Sequence, residues 1–220
     1  MDIPIGIQKT ILNEITKDPK DVRNEFLKYF SKEAELFTTA MGAAYANWKS
    51  FDDSIKGEKP KAAVSAIIYC AVMLHISSMK LFLSGNSIAA GNLQRQVLES
   101  IALSLLCSNC SLNVLERFMK QEYSPNKAVR DVIKHYKKLN LNRDALLVLK
   151  KSYEFYHNYS HPTYMTISSF VSFSEGGMYV GSSFDKGKLA DYKKEVQSRI
   201  SLAQRFSNFI EGVRANVQKW

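Results

Sequence analysis

Leu189, Tyr192, Val196, Ile200, Ala203, Phe206, Ile210, Val213 and Val217 recur at spacings of three and four. The pattern keeps one apolar stripe for about eight turns of α-helix, and a β-strand, whose side chains alternate with period two, cannot carry it. A helix this long, wet on one face and dry on the other, must lie against other helices. A second long segment follows Asp18-Pro19, which reads as a cap and a proline in the first turn. Phe26, Phe30, Phe37, Met41, Ala44, Trp48 and Phe51 mark its apolar face, and Gly57-Glu58-Lys59-Pro60 ends it.

Further helices are expected over about 60–83, stopped by Ser84-Gly85-Asn86, over about 87–107, and in shorter pieces over about 112–121, 125–139 and 142–159. Ser124-Pro125 repeats the cap-and-proline signature. The segment TISSFVSFSEGGMYVGSSF, rich in serine and aromatics, predicts two short strands joined at Gly176-Gly177. Ten glycines, five prolines and no internal repeat in 220 residues argue against a solenoid, a disordered chain or an all-β fold. The expectation is one domain, residues 1–220, an all-α antiparallel bundle of about six to seven helices. A small β-hairpin insertion, or a long ordered loop, over about 165–184 precedes the C-terminal helix.

Eighteen residues without a full charge lie between Lys61 and Lys80, about the minimum spanning length. They include Ser65, Tyr69, His75, Ser77 and Ser78, and a central helix of a soluble bundle accounts for them better than a membrane span. MDIPIGIQKT lacks the basic start and apolar core of a signal peptide. Cys70, Cys107 and Cys110 are too few for a disulfide framework, so a cytoplasmic location is expected. Cys107 and Cys110 form a CxxC with neither a second CxxC nor a nearby histidine, and they read as ordinary thiols near a helix end.

YEFYHNYSHPTY, Tyr153 to Tyr164, is the densest chemistry in the chain. On an ideal helix Glu154, His157 and His161 would share a face as a partial metal set. Pro162 pushes His161 out of the helix, so no metal site is expected. Tyr153, Tyr156 and Tyr159 read as packing residues whose hydroxyls, with His157, satisfy polar groups at the bundle end. Arg95 and Glu99 stand at i, i+4 on a segment apolar almost all round, where a partly buried charge needs partners. His161 reaching Glu99, with Arg95 alongside, would supply them. The cluster Arg95, Glu99, His157 and His161 is then either a brace or a ligand pocket.

An Arg-x3-Glu in an apolar helix, here Arg95 and Glu99, followed by an aromatic helix ending in Tyr159-Ser160-His161-Pro162-Thr163, resembles bacterial helical-bundle proteins related to the HEPN superfamily. The resemblance spans about residues 60–215 and implies a compact helical domain that often dimerises. Many members are metal-independent endoribonucleases in toxin–antitoxin or anti-phage systems, and others serve as RNA-binding or interaction modules. HEPN ribonucleases use an Arg-x4–6-His motif, which Arg130 and His135 match. The imidazole would move the proton of a ribose 2′-hydroxyl and the guanidinium would steady the pentavalent phosphate, with no metal or cofactor. Five residues apart on a straight helix is about 140°, so a bend or a second copy must bring the two groups together.

From Arg117 to Lys151 ten basic residues stand against three acidic ones, so +7 of the net +9 falls within 35 residues. Lys127, Arg130, Lys134, Lys137 and Lys138 are expected opposite the apolar stripe of a helix over 125–139, with Arg143, Lys150 and Lys151 on the next helix. Such a face suits a phosphate backbone, with salt-sensitive, sequence-independent affinity. The leading expectation is a HEPN-like binding module that engages RNA or another polyanion through this face, in stress or phage defence. The alternatives are a metal-independent endoribonuclease using Arg130 and His135, and a structural module that meets a protein through its long first or last helix. Expected partners are a second copy of the chain, RNA, and a protein such as an antitoxin, with no membrane.

Overall fold

The computed structural model describes residues 5–220, so the first four residues of the MDIPIGIQKT segment lie outside it. The chain is all-α: α1 (Ile5–Thr16), α2 (Lys20–Asp53), α3 (Lys59–Leu83), α4 (Ser87–Cys107), α5 (Val114–Met119), α6 (Ala128–Lys134), α7 (Arg143–His157), α8 (Tyr164–Phe170) and α9 (Leu189–Val217). Helix α4 is the axis of the bundle: α3, α6, α7 and α9 all pack against it. Its sequence explains this position, because Val97, Leu98, Ile101, Ala102, Leu103, Leu105 and Leu106 leave its C-terminal half apolar almost all round, and all are buried. Helix α2 closes the other side against α3 and α9.

The stripe of α9 is buried as its spacing requires, from Tyr192 through Val196, Ile200, Ala203 and Phe206 to Val217. The stripe of α2 meets it in an aromatic cluster, where the Phe26 ring lies 5.3 Å from Phe82 and 4.9 Å from Tyr192. Helix α2 breaks its regular geometry at Phe30 (φ −130°, ψ 21°), which is itself buried. Asp18 does not cap α2 with its side chain; Pro19 holds the cap position and Asp18 pairs with Arg23 at 2.7 Å. Helix α3 is long and apolar enough to cross a membrane, with mean hydropathy 1.8, but half of that window is buried in the bundle. Its buried face packs against α2, α4 and α9.

Three parts depart from the expected plan. No strand forms among the described residues, so the hairpin over 165–184 is corrected to α8 and an ordered loop. Thr163 starts α8 by accepting from the Thr166 N–H at 3.3 Å, and Val171 and Met178 make one isolated antiparallel bridge. Further pairing fails because side chains take the backbone donors: Asp185 accepts from the Phe173 N–H at 2.6 Å and Ser172 Oγ from the Glu175 N–H at 3.1 Å. The helix over 125–139 is also shorter. A 3₁₀ turn (Pro125–Lys127) leads into α6, which stops at Lys134, and the chain then turns until Asn140 at φ 52°.

The third departure is α1, which no cap or stripe had marked. None of its residues is buried, and Ile5, Ile7, Ile11, Leu12 and Ile15 face outward. It is held instead through its polar side, where Glu14 Oε1 accepts from the Ser182 N–H at 2.9 Å. Gly181 sits at φ +80°, a backbone conformation L side chains rarely adopt, and a Cβ there would also push the Glu14 carboxylate off this contact.

Candidate functional site

Helices α6 and α7 pack against α4 and against each other, which brings the two halves of the basic segment together on one side of the bundle. Lys127, Arg130, Lys134, Lys137, Lys138, Arg143, Lys150 and Lys151 are all exposed. Lys137 and Lys138 lie on the turn after α6, not on a helix face. Acidic partners are sparse. Arg130 and Lys134 share Asp131, at 3.3 and 3.2 Å, and Lys150 pairs with Glu154 at 3.2 Å. Among the described residues Lys127, Lys137, Lys138, Arg143 and Lys151 have no ion-pair partner.

Arg130 and His135 are not joined by a hydrogen bond. The guanidinium turns to Asp131, which Tyr123 also reaches at 3.1 Å, and His135 caps the C-terminal end of α6. At the end of α7 the polar cluster does assemble. Arg95 Nε donates to Glu99 at 3.1 Å, its Nη2 donates to the Tyr153 hydroxyl at 3.3 Å, and its carbon lies 5.4 Å from the Tyr153 ring centroid. The pair is partly buried, with side chains 19% and 14% exposed. Helix α7 ends at His157, as Pro162 requires, yet the rings of His157 and His161 still meet edge to face at 4.6 Å. His161 makes no hydrogen bond to Glu99. Desolvation, the Arg95 charge and the His161 ring together hold the His157 imidazole below the usual histidine range. Glu154 belongs to Lys150, and among the described residues no three His, Cys, Asp or Glu side chains are grouped as metal ligands.

The cysteine pair has no redox geometry. Cys107 is buried and Cys110 exposed, and burial pushes the Cys107 thiol up to about 12.

Sequence reasoning missed the largest polar feature, a buried network centred on Arg199. Its guanidinium pairs with Glu195 one turn earlier, donates to Ser78 Oγ at 3.3 Å and lies 4.7 Å from the Phe82 ring. Glu195 also accepts from the Tyr156 and Tyr159 hydroxyls, each at 3.1 Å. Two tyrosines of the Tyr153–Tyr164 stretch, Tyr156 in α7 and Tyr159 just after it, thus serve this carboxylate. The available signal was a charge in register: Arg199 lies three residues after Val196 and four before Ala203, inside the apolar stripe of α9.

His75 completes the network and is fully buried between Phe37 and Phe206. Its Nε2 lies 3.1 Å from the Arg199 carbonyl and its Nδ1 3.0 Å from Gln94 Oε1. Both partner oxygens only accept, so Nε2 carries the hydrogen toward Arg199, and a neutral ring accepts at Nδ1 when the Gln94 amide turns its NH2 group to it. Burial, with the nearby Arg199 charge adding to it, pulls the imidazole down to about 3. The unfolded chain takes up this proton near the ordinary histidine value of about 6.5, so stability falls as pH drops below that value toward the folded one. Between pH 7 and pH 5 the loss from this one ring is about 2 kcal/mol. Urea unfolding at both pH values should show a loss smaller by about that amount in His75→Gln. Equal losses in the two proteins would remove His75 from the acid response.

Comparison with protein-family models, with curated proteins and with solved structures finds no match to this chain.

Proposed function

We propose that this chain is a binding module for RNA or a similar polyanion, engaged through α6, the turn after it and α7. The observation that carries this reading is the imbalance of charge: eight exposed cations, against which Asp131 and Glu154 are the two carboxylates that pair with them. Phosphates spaced along a flexible strand can meet such cations without any base-specific pocket, and each neutralised phosphate releases a counterion. Affinity should therefore fall steeply with salt and depend little on sequence.

The test is fluorescence anisotropy with a labelled mixed-sequence single-stranded RNA between 50 and 200 mM salt. The wild type is compared with Lys127→Glu/Lys137→Glu/Lys138→Glu/Lys151→Glu and with a control reversed at Lys28, Lys32 and Lys49 on α2 and at Lys56 just after it. The first variant should bind at least tenfold more weakly with a shallower salt slope, whereas the control should lose much less. Binding that ignores salt, or that weakens equally in both variants, would sink the proposal.

A further inference from the structure

Where α8, the loop before α9 and the first turns of α9 come together lies a cleft of about 340 Å³. Phe155, Tyr159, Met165 and Tyr192 supply most of its apolar wall. Lys188, one residue before α9, lines it too and is only 8% exposed. Its Nζ donates to the Ser169 carbonyl at 3.0 Å and lies 5.2 Å from the Phe173 ring centroid and 5.5 Å from that of Tyr179. An ammonium carries three N–H groups, so two remain beyond the Ser169 bond.

No carboxylate among the described residues is ion-paired with this lysine. The buried Asp185 is committed elsewhere, accepting from the N–H groups of Phe173 at 2.6 Å and Gly187 at 2.8 Å. A buried cation without a direct ion pair is costly, and two aromatic faces and the charge of Asp185 acting through space offset only part of that cost. Burial accordingly holds the Lys188 ammonium below the ordinary lysine range, with Asp185 opposing.

The other charges on the cleft wall cancel in pairs. Glu195 is held by Arg199 behind it, and Asp191 pairs with Lys194 at 3.1 Å. Lys188 is left as the one cation on the wall without an ion-pair partner, facing aromatic walls in a space at the small end of known ligand pockets.

We propose that the cleft binds a small organic monoanion, an aromatic carboxylate, whose oxygens take the remaining N–H groups of Lys188 while its ring lies against Phe155, Tyr159 and Tyr192. A dianionic phosphate fits worse, because Glu195 and Asp191 line the same cleft and Lys188 is the one lining cation without an ion-pair partner. The proposal rests on no part of the basic face on α6 and α7.

The experiment is isothermal titration of the full chain at pH 7 with 3-phenylpropanoate, its neutral amide and phenyl phosphate. The carboxylate should bind saturably, and the amide and the phosphate each at least tenfold more weakly. Lys188→Met, which keeps the length of the side chain and removes its charge, should lose the preference for carboxylate over amide. Lys193→Met, on α9 but outside the cleft lining, should retain it. Melting of each variant checks folding, and the carboxylate–amide comparison in the wild type needs no variant. No saturable binding of 3-phenylpropanoate, equal affinity for its amide, tighter binding of phenyl phosphate, or an unchanged preference in folded Lys188→Met would each overturn the proposal.

Discussion

Arg199→Ala is expected to cost about 3–5 kcal/mol of folding free energy, the largest loss of any single substitution considered for this chain. The guanidinium is fully buried, and its removal leaves Glu195, 11% exposed, with two tyrosine hydroxyls and no counter-charge. It also opens a void beside Phe82, over whose ring the guanidinium now sits. Such a loss is a large share of the roughly 5–15 kcal/mol that holds a typical domain together. Urea unfolding of the variant measures it directly. Removing both charges with Arg199→Met/Glu195→Leu should cost less than Arg199→Ala alone, because no stranded carboxylate remains. A loss below about 1 kcal/mol in Arg199→Ala would mean that water reaches Glu195 and the network does not hold the core.

Gly91→Ala is the second large effect, and its sign runs against helix propensity. Gly91 lies within α4, where alanine would ordinarily gain about 1 kcal/mol. A Cβ at this position would sit 2.4 Å from Tyr159 Cγ and 2.7 Å from both Cδ atoms, on the face of a buried ring. The ring cannot rotate out of the way, since it must shift bodily, and its hydroxyl is tied to Glu195. Overpacking of this kind costs about 1–3 kcal/mol or more, so a net loss of about 2 kcal/mol is expected by urea unfolding. In a Tyr159→Ala background the same Gly91→Ala change should become stabilising. A loss of the same size in both backgrounds would place the clash elsewhere than on Tyr159.

Long-period features were legible in the sequence. The stripes of α2 and α9, the apolar run of α3 and the stops at Ser84-Gly85-Asn86 placed the main helices within a residue or two. Local rules worked where a single residue decides: Pro162 ended α7 before His161. They failed where partners distant in sequence decide. The serine-rich segment over 166–184 has strand-like composition, but Asp185 and Ser172 capture its backbone donors. Helix α1 was missed because its apolar face covers nothing, and its anchor is a contact from Glu14 to Ser182, 168 residues away.

The candidate sites divide in the same way. The basic segment was visible as composition, whereas its presentation on one side of the bundle depends on α6 and α7 sharing α4. Arg95 and Glu99 could be paired from their spacing, but not the Tyr153 hydroxyl that Arg95 reaches. The HEPN resemblance rests on Arg95, Glu99 and the Tyr159–Thr163 segment, and so on short-range patterns alone.

By itself the sequence determined that this chain is a helical bundle and that most of its surplus charge falls between Arg117 and Lys151. Both follow from periodicity and count, which depend on residues close together along the chain. The tertiary structure alone decided that Arg199 pairs with Glu195 in the core, that His75 is buried between Phe37 and Phe206, and that Lys188 is buried without an ion-pair partner. The physical reason is that the state of a charge is set by what surrounds it in space, and here that shell is drawn from α3, α4, α7 and α9 at once.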